Sequence, residues 1–130
     1  MIEINNLTKI RISRKGIENF VKKLFQKLKI KKDLSLVLVN NKRIKKLNQI
    51  YLKKNRSTDV LSFAGENNFL GEIVVSLEQA KKQAKEQGHA FKKELKILIT
   101  HGLLHLLGFG HRKEKDRRKM ELREKELINL

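Results

Sequence analysis

Three of the four histidines in the chain lie in one eleven-residue stretch, His101-Gly102-Leu103-Leu104-His105-Leu106-Leu107-Gly108-Phe109-Gly110-His111. If residues 91–107 are helical, His101 and His105 stand one turn apart on the same face, because positions i and i+4 nearly eclipse at 3.6 residues per turn. Gly108 occupies the place where a helix commonly ends in a left-handed residue. Phe109 and Gly110 then give the chain room to turn back and carry His111 towards the other two. Three imidazoles converging on one point, with nothing obvious to fill a fourth position, is how a catalytic zinc is held: three protein ligands and an open site. The competing reading is a helix whose histidines are ordinary polar residues of a packed core. The threefold spacing with its glycine favours the metal, one Zn²⁺ per chain.

The spacing is that of the metzincin zinc peptidases, His-Glu-x-x-His-x-x-Gly-x-x-His, with one change. Where a peptidase carries its general-base glutamate, this chain has Gly102. A zinc on three neutral imidazoles keeps its full charge, polarises a phosphoryl oxygen and lowers the pKa of a bound water to about 7. A phosphate is attracted to such a site, and a carboxylate base would repel it. On this view Gly102 removes an anion and leaves room beside the metal.

Composition bounds the rest. A chain of 130 residues is one domain, spanning 1–130, large enough to bury a core without staples. The absence of cysteine excludes disulfides, thiolate metal sites and cysteine nucleophiles. No stretch approaches the roughly 18–20 apolar residues of a membrane span, and Met1-Ile2-Glu3-Ile4-Asn5 lacks the basic and apolar regions of a signal peptide. The expectation is a cytoplasmic protein with no membrane association and no obligate protein partner. Its 31 basic and 14 acidic residues give a formal charge of +17, which favours a polyanionic partner, nucleic acid above all. Lysine outnumbers arginine 23 to 8, so codon bias accounts for part of that charge, but no matching excess of glutamate accompanies it.

The elements that must position the histidines follow from periodicity. Residues 2–7 alternate loosely, as in a first strand. Ile17, Phe20, Val21, Leu24, Phe25 and Leu28 recur at helical spacing over 14–29, with a lysine-rich opposite face. Asp33 to Val39 is short, apolar and β-branched, a buried strand. Asn40 or Asn41 is a suitable N-cap for a helix buried through Ile44, Leu47, Ile50 and Tyr51 or Leu52. Residues 53–59 form a polar, basic loop. Val60 to Phe63 and Leu70 to Ser76 read as strands, and Leu77 to Gln87 as a helix capped by Ser76 and ended by Gly88. The helix bearing His101 is apolar on nearly every side, so it is the buried, central one. Met120, Leu127 and Ile128 can dock a charged last helix. The class is α+β: a small mixed four-stranded sheet surrounded by helices, with a zincin-like metal site on the central buried helix.

At these residues the sequence resembles the YbeY-type endoribonucleases, ribosomal RNA maturation factors. His101 to His111 is similar to that family's His-Gly-x-Leu-His-Leu-x-Gly-x-x-His signature, preceded by Gly88-His89. A second block, Thr58-Asp59-Val60-Leu61-Ser62-Phe63 followed by Gly71-Glu72-Ile73-Val74-Val75-Ser76, matches in order and separation. The resemblance covers about residues 30–130. It implies a metal-dependent, single-strand-preferring RNA hydrolase. Its role would be maturation and quality control of ribosomal RNA, at the 3′ end of the small-subunit RNA, with that RNA and the small subunit as partners. It also implies that His101, His105 and His111 are the zinc ligands, His101 counting as catalytic too.

Three positions depart from the family pattern. After the tyrosine that matches Tyr51 the family usually has an arginine implicated in activity, and here stands Leu52. The nearest arginine, Arg56, is the expected substitute, with Lys53 and Lys54 beside it as phosphate contacts. An aspartate that usually precedes the last ligand is Gly110, and two flanking prolines are Ser57 and Ala64. Asp59 and Glu72 are candidates to orient a histidine N–H, with capping or surface roles the alternative. His89, at a helix boundary, reads as structural. With one tyrosine and no tryptophan there are few platforms for base stacking, so backbone charge should dominate RNA binding. The attacking group, a metal-activated water or the RNA's own 2′-hydroxyl, stays open. Two rivals remain: a zinc peptidase, and a non-catalytic zinc-stabilised RNA-binding protein.

Overall fold

The computed structural model describes residues 1–52, 58–109 and 114–130. Its elements run β1 (Ile2–Asn6), α1 (Arg14–Leu28), β2 (Asp33–Val39), α2 (Asn41–Leu52), β3 (Val60–Ala64), β4 (Phe69–Ser76), α3 (Leu77–Gln87), α4 (Phe91–Leu106) and α5 (Glu114–Leu127). The strands form one sheet in the order β1-β2-β4-β3. β1, β2 and β4 are parallel, which requires crossovers, and α1 and α2–β3 supply them. β3 pairs antiparallel with β4 through a short connection and forms one edge. The expected α+β class and mixed four-stranded sheet are what the chain builds.

Local chemistry sets the boundaries. Ser13 caps α1 by accepting from the Gly16 N–H at 3.1 Å, and Asn40 accepts from the Arg43 N–H at 2.9 Å at the head of α2. Ser76 works in two directions. Its hydroxyl accepts from the Gln79 N–H at 3.2 Å, capping α3, and donates to Asn41 Oδ1 at 2.6 Å, tying α3 to α2. Gly88, with φ 70°, ends α3 as expected.

The sheet is buried on both faces. On one side Leu34, Leu36, Ile73 and Val75 join Phe20, Val21 and Leu24 of α1 and Leu95, Leu98, Ile99, Leu103 and Leu104 of α4 in the main core. On the other, Val39, Leu61 and Val74 pack with Ile44 of α2 in a smaller one. α4 touches α1, α3, α5, β3 and β4, the central position expected of it. Each fully buried leucine on it contributes about 1.5–3 kcal/mol by leaving water. The two histidines therefore stand on a helix fixed from several sides. No described helix is long and apolar enough to cross a membrane.

Candidate active site

His101 and His105 lie on the last turns of α4, half-buried, with ring centroids 4.7 Å apart and planes inclined at 65°. Their Nε2 atoms face each other at 3.1 Å. Two imidazoles on one tetrahedral zinc, with Zn–N bonds of 2.0–2.1 Å, place their nitrogens about 3.3 Å apart. The pair is thus spaced as two ligands of one metal would be.

A carboxylate sets the tautomer. His101 Nδ1 lies 2.6 Å from Glu124 Oε1. A carboxylate only accepts, so Nδ1 carries the proton; in that tautomer Nε2, the nitrogen left for a metal, is the one directed at His105. A ligating histidine is usually held this way, its other N–H given to a carboxylate. Glu124 reaches the site because α5 docks through Met120 and Leu127, both fully buried. Positions 120, 124 and 127 form one helical stripe. A glutamate inside an otherwise apolar stripe is the sequence signal for this partner, which was not among the expected site residues.

α4 then ends in a Schellman motif: the Gly108 N–H donates to the His105 carbonyl at 3.0 Å and the Phe109 N–H to the Leu104 carbonyl at 3.1 Å. Gly108 takes φ 95°, the left-handed residue that the spacing anticipated. His111 lies outside the described residues, as do Lys53, Lys54 and Arg56. Among the described residues no three metal-ligating side chains come together.

Gly102 does not leave room beside a metal, as one part of its expected role required. A Cβ there would stand 2.8 Å from Ile73 Cγ2, 3.1 Å from Ser62 Oγ and 3.2 Å from Val60 Cγ2. Its missing side chain lets α4 settle onto β3 and β4, and Ser62 Oγ donates to the Gly102 carbonyl at 2.9 Å. The space is filled by the sheet, so it is not room beside a metal.

The histidines open into a cleft of about 400 Å³ along the free edge of β3, lined by Leu52, Thr58 to Ser62, Ala64 and Leu106. Asp59 is in that lining, but its Oδ2 accepts from Gln83 Nε2 at 3.1 Å. Glu72 is elsewhere. It alternates along β4 with Ile73, which faces α4, so it shares the α2 side with Val74 and accepts from Ser35 Oγ at 3.3 Å. Glu72 therefore does not orient a histidine; Glu124 does. His89, read as structural, meets the buried Glu94 at 2.6 Å at the start of α4.

Residues 3–130 match the family model described as Endoribonuclease YbeY. The chain belongs to this family. The Endoribonuclease YbeY of Syntrophomonas wolfei is 40% identical, over 97% of this chain and 93% of its own length. That of Fusobacterium nucleatum is 38% identical, over 87% and 78%. The solution structure of TM1509 from Thermotoga maritima superposes with a TM-score of 0.72 at 32% identity, covering 99% of this chain and 87% of that one. Leu52, where the resemblance led to the expectation of an arginine, is 50% exposed and part of the cleft wall.

Proposed function

We propose that the chain is a zinc-dependent endoribonuclease that cleaves single-stranded RNA in ribosomal RNA maturation, at the 3′ end of the small-subunit RNA, with His101, His105 and His111 as the metal ligands. Membership of the endoribonuclease family makes RNA the substrate class. The observation that carries the metal reading is the facing Nε2 pair, with Glu124 fixing one of its tautomers, at the head of a cleft.

When bound, zinc supplies a concentrated positive charge that polarises a phosphoryl oxygen and acidifies water. Everything else falls to the chain. Glu124 keeps the His101 lone pair aimed inward, and the Ser62 bond to Gly102 fixes the height of α4 over β3. Leu52 supplies no charge to the cleft, so a second cation must meet the negative charge that grows on the phosphoryl oxygens. Arg56 is that cation in this proposal, because a guanidinium can meet two oxygens at once where a lysine offers a point charge.

The decisive experiment compares metal-loaded wild type with His105→Ala on single-stranded RNA, duplex RNA and casein. Cleavage of the single strand alone, lost in the variant, is expected. Casein cleavage would restore the peptidase, and salt-dependent RNA binding without turnover would leave a binding protein. The last outcome has one observation in its favour, the aliphatic side chain of Leu52 in the cleft wall. Arg56→Ala separates the two: cleavage should fall on the order of 10²–10³, the scale for one transition-state donor, with zinc content unchanged. If Arg56→Ala does little and Leu52→Arg raises activity, the site lacks its second cation.

A further inference from the structure

The apolar packing of α4 is incomplete on one side. Where its first half passes the start of α1, the two helices leave a hollow of about 150 Å³ that opens to the surface. Protein interiors are filled to the density of organic crystals, and voids of this size are few. The floor is Phe20 of α1 with Leu95 and Ile99 of α4, each no more than 5% exposed. Ile12, Ile17 and Phe91 are the partly buried walls. A cavity of about 150 Å³ lined by leucine, isoleucine and phenylalanine holds a benzene ring. One phenyl-sized side chain would fill this one.

The rim has its own chemistry. Arg11, Lys92 and Lys96 line the hollow and no acidic residue does. None of the three forms an ion pair with a carboxylate among the described residues. Lys96 holds its Nζ 5.1 Å from the centre of the Phe20 ring, which fixes one charge beside the floor. The polar side chain of the lining besides these is Ser13, whose hydroxyl is engaged in capping α1. A nucleobase, with donors and acceptors around its edge, would give up hydrogen bonds to water here and find few in return. A phenyl group gives up none, and carboxylates on either side of it would meet the cations. The hollow shares no residue with the cleft of the histidines. His101 lies about 200° round α4 from Ile99, so the two sites use opposite faces of one helix.

We propose that this hollow is the docking site for a protein partner, an acidic segment that seats one phenylalanine-sized side chain between α1 and α4. An apolar anchor in a closely fitting pocket supplies the affinity of such a contact, and the charges around it steer the approach and reject basic segments. The site goes beyond the nuclease reading and stands without it.

The probe is a synthetic peptide with one phenylalanine flanked on both sides by aspartates, titrated into the whole protein at physiological salt. A companion peptide has alanine in that place and the same charge, so general attraction to a protein of charge +17 is common to both. The phenylalanine peptide should bind roughly 10- to 150-fold more tightly, the range for burying one large apolar side chain. In methyl NMR its ring-current shifts should fall on Ile12, Ile17, Leu95 and Ile99. Ile17→Phe, which fills the hollow from within the chain, should abolish the difference between the peptides. The peptide comparison needs no variant, so it decides even if Ile17→Phe does not fold. Arg11→Glu with Lys92→Glu should weaken the phenylalanine peptide more than Lys42→Glu with Lys46→Glu, the same change of net charge on α2, across the sheet. Equal affinity for the two peptides, shifts on the cleft methyls of Leu52, Val60 and Leu106, or equal losses in the two charge variants overturns the site. A single-stranded RNA that displaces the peptide and shifts the same four methyls would make the hollow a nucleic-acid site and overturn its assignment to a protein.

Discussion

His89 and His101 each meet a glutamate oxygen at 2.6 Å, His89 within its own stretch of chain at the start of α4 and His101 across to α5 at the far end. The chemistry of the two contacts is the same, and what differs is the nitrogen engaged. His89 gives Nε2 to Glu94, whose side chain is 7% exposed, so the contact joins the α3–α4 corner to the buried surface. His101 gives Nδ1 to Glu124 and turns Nε2 towards a second imidazole. A histidine–carboxylate pair is thus a strut or a site according to which nitrogen remains directed at something else. Distance and burial alone do not separate them.

The sharpest way to break this contrast is to delete each histidine in turn. His105→Ala should abolish cleavage and reduce zinc content from near-stoichiometric to trace in elemental analysis, while His89→Ala leaves the metal in place. Zinc lost equally from both variants would show that the two ends of α4 are not distinct.

The carboxylates sharpen it further. Glu124→Gln should lower metal affinity or activity roughly 10- to 100-fold, the usual effect of losing a ligand's hydrogen-bond partner, with the urea midpoint little moved. Deleting the partner of the buried Glu94, as in His89→Ala, should do the reverse. Leaving that carboxylate unsatisfied costs about 1–3 kcal/mol in a urea melt, without a change in zinc affinity.

A smaller effect, at a third position, tests the seat of the helix. Gly102→Ala gains about 1 kcal/mol of helix propensity and loses about 1–3 kcal/mol to overpacking against Ile73, Ser62 and Val60. A net loss of up to roughly 2 kcal/mol is expected, again by urea melt. A clear gain would mean that α4 can lift from the sheet without cost.

Most of the scaffold was legible because its signals are local. Ser76 before α3, Gly88 after it and the apolar run of Asp33 to Val39 each depend on neighbours a few residues away. So does the 101–105 spacing that pairs two imidazoles. The partners across the fold were not legible in the same way. Glu124 lies 23 residues from His101, and only the packing of Met120 and Leu127 brings it there. Glu72 was misassigned because β4 is apolar on both faces, with Ile73, Val74 and Val75 all buried. A strand of that kind does not announce which side an interspersed carboxylate takes. At Gly102 the expected room beside a metal is taken by Ile73, Ser62 and Val60, neighbours that only the tertiary fold brings together.

That glycine also bears on descent. Two of the four glycine codons, GGA and GGG, become glutamate codons by one nucleotide change, so on paper the peptidase signature can be as little as one mutation away. The change would drive a side chain larger than the disallowed methyl into Ile73, Ser62 and Val60, and the helix carrying both histidines would have to rise off two strands to admit it. Backbone spacing therefore opposes drift between the two catalytic repertoires, and a lineage that crossed would have to reset how its central helix lies on the sheet.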